Sequence, residues 1–263
     1  MQLNIYQVDA FARRHFEGNP AAVCPLKSWL PDNTMQRIAE ENNLSETAFL
    51  LPEGEGWRLR WFTPRAEVNL CGHATLASAR VLFELHPGLR VHPLHFHTLS
   101  GLLKARWVDD RVEMDFPVMQ PEPMDIPMGI ETILGVGVVQ GVRSDDYYLL
   151  EVESEQAIRE AKPDFQNLSE SEIPEVMITA MSDNPAFDFV SRFFAPRLGI
   201  DEDPVTGSAH CLLAPYWSEK LGKKSFKAYQ ASSRGGILHV ELRGERVLIS
   251  GSAQIILSAD LLI

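Results

Sequence analysis

The chain has 263 residues, 45% hydrophobic and 23% charged, with 36 acidic against 24 basic side chains and a formal net charge of -12. That length and composition suit one large globular domain or two small ones, and the acidic balance argues against nucleic acid or an anionic membrane surface as the main partner. Three scattered cysteines, Cys24, Cys71 and Cys211, lack Cys-x-x-Cys spacing, which disfavours a disulfide framework or a zinc site and fits a reducing, cytoplasmic setting.

The opening residues, MQLNIYQVDAF, alternate as a strand over residues 3–11 and do not have the pattern of a signal peptide. No apolar run approaches the length of a membrane span. Pro31-Asp32 opens a helix that places Met35, Ile38 and Ala39 on one face and stops near Asn42-Asn43. Strands follow at 47–51 and 57–62. The segment GHATLASARVLFEL is apolar on nearly every side, as a buried helix is. Residues 102–107 and 112–116 form two strands around a turn at Asp109-Asp110. The proline-marked stretch 117–127 (Pro117, Pro121, Pro123, Pro127) reads as an interdomain linker. Strands are then expected at 147–152, 175–181 and 187–194. A second all-round apolar helix, GSAHCLLAPYWSEKLG, ends at Gly222. Strands at 237–242 and 247–250 flank a turn at Gly244.

The two halves repeat each other. WFTPRAEVNLCGHATLASA begins at Trp61 and FFAPRLGIDEDPVTGSAHCLLA at Phe193; each runs from an aromatic pair through x-Pro-Arg and a loop to Gly-x-Ala and an apolar segment. Gly101 lies 29 positions after Gly72, and Gly236 lies 29 after Gly207. Both pairs are offset by 135, which suggests two homologous lobes rather than a solenoid. One buried helix per lobe among many strands suggests a curved sheet around a central helix.

Related lobes would turn their two helix starts, at Gly72-His73 and Gly207-Ser208, toward one cleft. Unpaired N–H groups and positive dipole ends there suit a small molecule carrying a carboxylate. Glu46, His73, Asp203 and His210 are the candidates for the acid–base work. Glu46 enters an apolar strand, and burial would raise its pKa and make it a base. His73 at a helix start would stay neutral through a depressed pKa, or be a hydrogen-bonded core histidine. Asp203, in DEDPVTGSAH, either lines the pocket or caps a turn. Ser208 is a cap candidate as much as a site residue. His210 lies inside the buried helix and is read as a core residue. Cys71 and Cys211 are read as packing.

No phosphate loop and no dinucleotide-binding glycine pattern is present, so no cofactor is expected. His92, His95 and His97 suggest a metal, but no carboxylate or cysteine completes the set at a recognisable spacing, so no metal is expected either.

NLSETAF, CGHATLASA, DEDPVTGSAH and SSRGG, in that order, with YQVDAF and GNPAAV before them, resemble the PhzF-like proteins of phenazine biosynthesis, which share the fold of diaminopimelate epimerase. The resemblance covers nearly the whole chain. It implies an α+β fold of two pseudo-symmetric lobes, residues 1–117 and 118–253, each a barrel-like, mostly antiparallel sheet around a central helix, with a last strand at about 254–263 returning to the first lobe. It implies a cofactor-free isomerase in which Glu46 shuttles a proton between carbons of a dihydro-hydroxyanthranilate. His73, Asp203 and Ser208 would orient substrate and proton, helped by backbone N–H groups near Gly72 and Gly207. By motif register the epimerase's cysteine pair falls at Thr75 and Ala209, and neither is Cys here. The expected partners are a small-molecule substrate and a second copy of the chain in a homodimer. The alternatives are an epimerase or racemase of an amino-acid-like substrate and a binding protein that kept the fold.

Overall fold

A computed structural model describes residues 2–173 and 175–263. The chain divides into two compact units: residues up to Asp115 with Ser250–Ile263, and Phe116–Ile249. Each is mostly sheet with few helices, an α+β architecture.

In the first unit the elements are β1 (Gln2–Ala10), β2 (Asn19–Pro25), α1 (Asp32–Asn42), β3 (Glu46–Glu53), β4 (Gly56–Phe62), β5 (Glu67–Val68), α2 (Gly72–Leu85), β6 (Leu94–Thr98), β7 (Gly101–Val108) and β8 (Arg111–Pro117). In the second they are β9 (Glu122–Met124), α3 (Ile130–Leu134), β10 (Val138–Ser144), β11 (Tyr147–Val152), α4 (Glu155–Glu160), α5 (Phe165–Glu170), β12 (Val176–Met181), β13 (Phe189–Ala195), β14 (Ile200–Asp203), α6 (His210–Leu221), β15 (Ser225–Gln230), β16 (Gly236–Arg243) and β17 (Arg246–Gly251). The last strand, β18 (Ala253–Leu262), runs antiparallel beside β1, with Gln2 opposite Leu262 and a bulge at Gln7/Val8.

The pairing scheme is the same in both units. In the first, β1 pairs antiparallel with β2, β2 parallel with β3, β3 antiparallel with β4, and β4 parallel with β6 across α2, before the β6–β7–β8 meander. In the second, β10, β11, β12, β13, β15 and β16 pair in the same succession of senses, with α6 in the place of α2. Trp61-Phe62 closes β4 and Phe193-Phe194 lies at the end of β13, so the sequence repeat is a repeat of topology.

Local chemistry sets the helices. In α1, Met35, Ile38 and Ala39 are the buried residues, an i, i+3, i+4 stripe, and Asn43 ends the helix at φ 48 with its N–H on Ala39 O. In α2, ten residues from His73 to Phe83 are buried, and the helix touches β1, β2, β3, β7 and β18. Its two interior hydroxyls are satisfied within the helix: Thr75 Oγ1 donates to Cys71 O at 2.6 Å and Ser78 Oγ to Ala74 O at 2.7 Å. In α6, Trp217 stacks on Phe189 at 5.6 Å and donates from Nε1 to Thr179 Oγ1 at 3.0 Å, so its indole N–H is not left unpaired in the core. The 117–127 stretch is not wholly a linker, because β8 reaches Pro117 and residues 122–124 pair with β10.

Candidate active site

In the first unit the site is built where β3 begins and α2 begins. Glu46 is the first residue of β3, opposite Ala21 of the parallel neighbour β2. Its backbone is bracketed by polar contacts: Ser45 Oγ to Asn19 Oδ1 at 3.4 Å and Asn42 Nδ2 to Thr47 Oγ1 at 3.1 Å. Helix α2 starts at Gly72 after Cys71 in extended backbone, with no side chain capping it, so its first N–H groups lack intrahelical acceptors.

These two starts bring Glu46 and His73 together. Glu46 Oε2 and His73 Nε2 are 2.9 Å apart, and both residues are more than nine-tenths buried. Neither atom has a hydrogen-bonding partner elsewhere, so their mutual contact is what compensates for burying both. Burial opposes charge on either group, but the pairing prevails. His73 holds the Glu46 carboxyl below the usual carboxylate range, and the neighbouring Cys71 sulfur together with Glu46 raises His73 well above the usual imidazole range. This corrects two sequence expectations. Burial alone predicts a raised Glu46 and a helix start predicts a depressed His73; the directions are the reverse, because Cys71 and Glu46 face His73 and His73 faces Glu46.

Cys71 is also corrected. Its Sγ lies 3.6 Å from His73 Nδ1 and within 4.8 Å of a Glu46 carboxylate oxygen. Burial pushes the thiol up to about 11, so it stays protonated at neutral pH. Among the described residues, Glu46, Cys71 and His73 are the group whose donors gather closely enough to surround a cation. But His73 turns a different nitrogen to each partner, Nε2 to Glu46 and Nδ1 to Cys71.

In the second unit the acid-rich run, expected as a loop, is strand β14, paired antiparallel with β13 and leading into the turn at 204–209. Glu202 is held bidentate by Arg192 at 2.7 and 3.0 Å, Asp201 is exposed, and Asp203 Oδ2 accepts from Thr206 Oγ1 at 2.5 Å. Gln230, buried at the end of β15, pins the loop from below. Its Oε1 accepts from Thr206 N and its Nε2 donates to Asp203 O, both at 2.8 Å. Ser232 Oγ donates to Pro204 O. The QASSRGG segment therefore holds the loop in place.

Gly207 and Ser208 do not start a helix. They form a turn that passes into α6 at His210, with His210 N on Gly207 O and Cys211 N on Ser208 O. Ser208 is not a cap: its Oγ accepts from the Tyr147 hydroxyl at 3.0 Å. Burial raises Tyr147, which keeps it a donor. His210 is a core residue, as expected: fully buried, 6.0 Å from the Phe189 ring, with Nδ1 on Thr206 O at 3.0 Å and its pKa lowered to about 4 by burial. His95 and His97 share one half-buried face of β6.

Cys71, Tyr147, Thr206 and Gln230 were not singled out as site residues from sequence. Cys71 had one usable signal, its position two residues before a helix-start histidine; Tyr147 and Gln230 had none, because long-range contacts leave no local pattern.

Comparison with known proteins places the chain in a family. The Phenazine biosynthesis-like protein family matches residues 8–259. An uncharacterized isomerase of Pseudomonas aeruginosa is 51% identical over 260 residues, 98% of each chain. The crystal structure of a PhzF-family phenazine biosynthesis protein from Enterococcus faecalis superposes with a TM-score of 0.96 at 42% identity, covering 100% of both chains. A hydroxyproline epimerase from Agrobacterium vitis shares the fold at a TM-score of 0.60 and 14% identity, with 99% of this chain and 91% of that one covered. The chain belongs to the phenazine biosynthesis-like, or PhzC-PhzF, family.

Proposed function

We propose that the protein is a cofactor-independent isomerase that moves a proton between carbons of a small carboxylate-bearing substrate, resembling the dihydro-hydroxyanthranilate isomerase of phenazine biosynthesis. The observation that carries this reading is the buried 2.9 Å pair of Glu46 and His73 at the start of α2. The isomerase relative at 51% identity supports the reaction class.

In the proposed mechanism Glu46 is the base and rests ionised. It takes a proton from a substrate carbon, and the electrons of the broken C–H bond pass into the substrate's conjugated system. Glu46 is then neutral, and the His73 imidazolium is left facing the new substrate anion, which it stabilises electrostatically. Before and after the step the local charges cancel, a requirement for a site removed from water. Glu46 then delivers a proton to a second carbon, and while the proton is held on the carboxyl it exchanges with solvent. Asp203 and Ser208 are assigned to orienting the substrate. Ser208 already accepts from Tyr147, so its own hydrogen is available to a substrate oxygen. Backbone N–H groups near Gly72 and Gly207 are assigned to the substrate's anionic group.

Epimerisation by a thiol pair finds less support. Cys211 lies inside α6, 2% exposed, with its pKa raised to about 12 by burial. The test is exchange in deuterated water. Trans-2,3-dihydro-3-hydroxyanthranilate should isomerise with solvent deuterium appearing at carbon, whereas exchange confined to the α-carbon of amino acids would favour epimerisation.

A further inference from the structure

The Cys71 side chain stands among polar groups, which packing alone does not explain. The titratable groups facing the thiol are Glu46 from β3 and His73 from α2, whose donor atoms lie within 4.8 Å of the sulfur. His73 Nδ1, 3.6 Å away, offers sulfur a hydrogen when the ring is doubly protonated. The thiol's own hydrogen is then free to turn to the Glu46 carboxylate. The three side chains close a ring: His73 Nε2 to Glu46, Cys71 to Glu46, and His73 Nδ1 to Cys71. A flipped imidazole would turn ring carbons toward both the carboxylate and the sulfur, so the two contacts together hold the ring's orientation.

We infer that Cys71 is a positioning residue for proton transfer: its thiol gives Glu46 a second donor and fixes His73 with Nε2 toward the carboxylate. This rests on the reading of Glu46 as the base. A thiol suits the place because it is a weak donor. It steadies the carboxylate without cancelling its basicity, and because it keeps its proton it adds no charge to a buried ion pair. A cationic or strongly donating side chain there would suppress the base.

NMR titration of the whole protein tests the inference without any substrate. The His73 ring nitrogens and the Glu46 carboxyl carbon are followed against pH in the wild type, Cys71→Ala and Cys71→Ser. In the alanine variant the His73 midpoint should fall and the Glu46 midpoint rise, each by about one unit, because each charged form loses a hydrogen-bonding partner. Serine, which both donates and accepts, should restore more than half of each shift. Midpoints unmoved in Cys71→Ala, or a serine variant shifted as far as alanine, would overturn the inference; if the alanine protein does not fold, a serine variant with wild-type midpoints supports it and one with displaced midpoints overturns it. Because no turnover is measured, a wild type that exchanges no substrate proton defeats the isomerase reading and leaves this result to stand or fall by itself.

Discussion

His73 Nε2 lies 2.9 Å from Glu46 Oε2 inside the first unit, with each residue less than a tenth exposed. A buried ion pair of this kind is a poor source of stability, since the desolvation of both charges offsets much of their attraction. Removing one member is a different matter, because the survivor is left buried and uncompensated.

His73→Gln should therefore destabilise the fold by about 3–5 kcal/mol at neutral pH, measured by denaturant unfolding. The pH dependence has two limbs. Glu46 is lowered in the folded state, so its contribution is present above the unfolded carboxyl value of 4.5 and is lost as pH falls through its folded value. His73 is raised, so its contribution is full below 6.5 and is lost as pH rises through its folded value. The Glu46→Gln, His73→Gln double variant should flatten both limbs.

His210 works in the opposite sense for a histidine. Its pKa falls from 6.5 to about 4 on folding, so the unfolded chain takes up a proton that the folded chain refuses. Acidification from pH 6.5 to pH 4 should therefore cost about 3 kcal/mol at this one residue. His210→Asn keeps a donor for Thr206 O, and its unfolding free energy should depend less on pH over that range. An unchanged slope would contradict the assignment.

Gln230→Leu should loosen the Asp203 loop. The substitution removes the acceptor of Thr206 N and one donor to Asp203 O, at a cost of about 1–3 kcal/mol for the buried Thr206 N–H. Turnover should suffer mainly through KM if Asp203 orients substrate. A Gln230→Leu enzyme with the stability and KM of the wild type would show that the glutamine is dispensable.

Much of this was legible in the sequence where a local pattern carries the information. The 3.6-residue stripe of α1 and the all-round apolar α2 were readable because burial dictates side-chain type one turn at a time. The repeat was readable because the distance between glycines, Gly72 to Gly101 and Gly207 to Gly236, is kept in both halves. What failed depended on partners distant in sequence. Glu46 and His73 are 27 positions apart, and burial alone gives the wrong sign for both. The start of α6 was misplaced by three residues because GSAH looks like CGHA, although Ser208 is engaged by Tyr147 from another strand. Cys71 looked like a packing thiol because a lone cysteine usually is one.

The central claim is that Glu46 is the base, and solvent-deuterium exchange with Glu46→Gln tests it most directly. Glutamine keeps the size of the side chain and one acceptor oxygen and removes its basicity. With trans-2,3-dihydro-3-hydroxyanthranilate in deuterated water, the wild type should place deuterium at carbon. Glu46→Gln should do so at least about 100-fold more slowly, with substrate affinity largely kept. A Glu46→Gln protein exchanging the carbon-bound proton at near the wild-type rate would contradict the account and make Asp203 the next candidate.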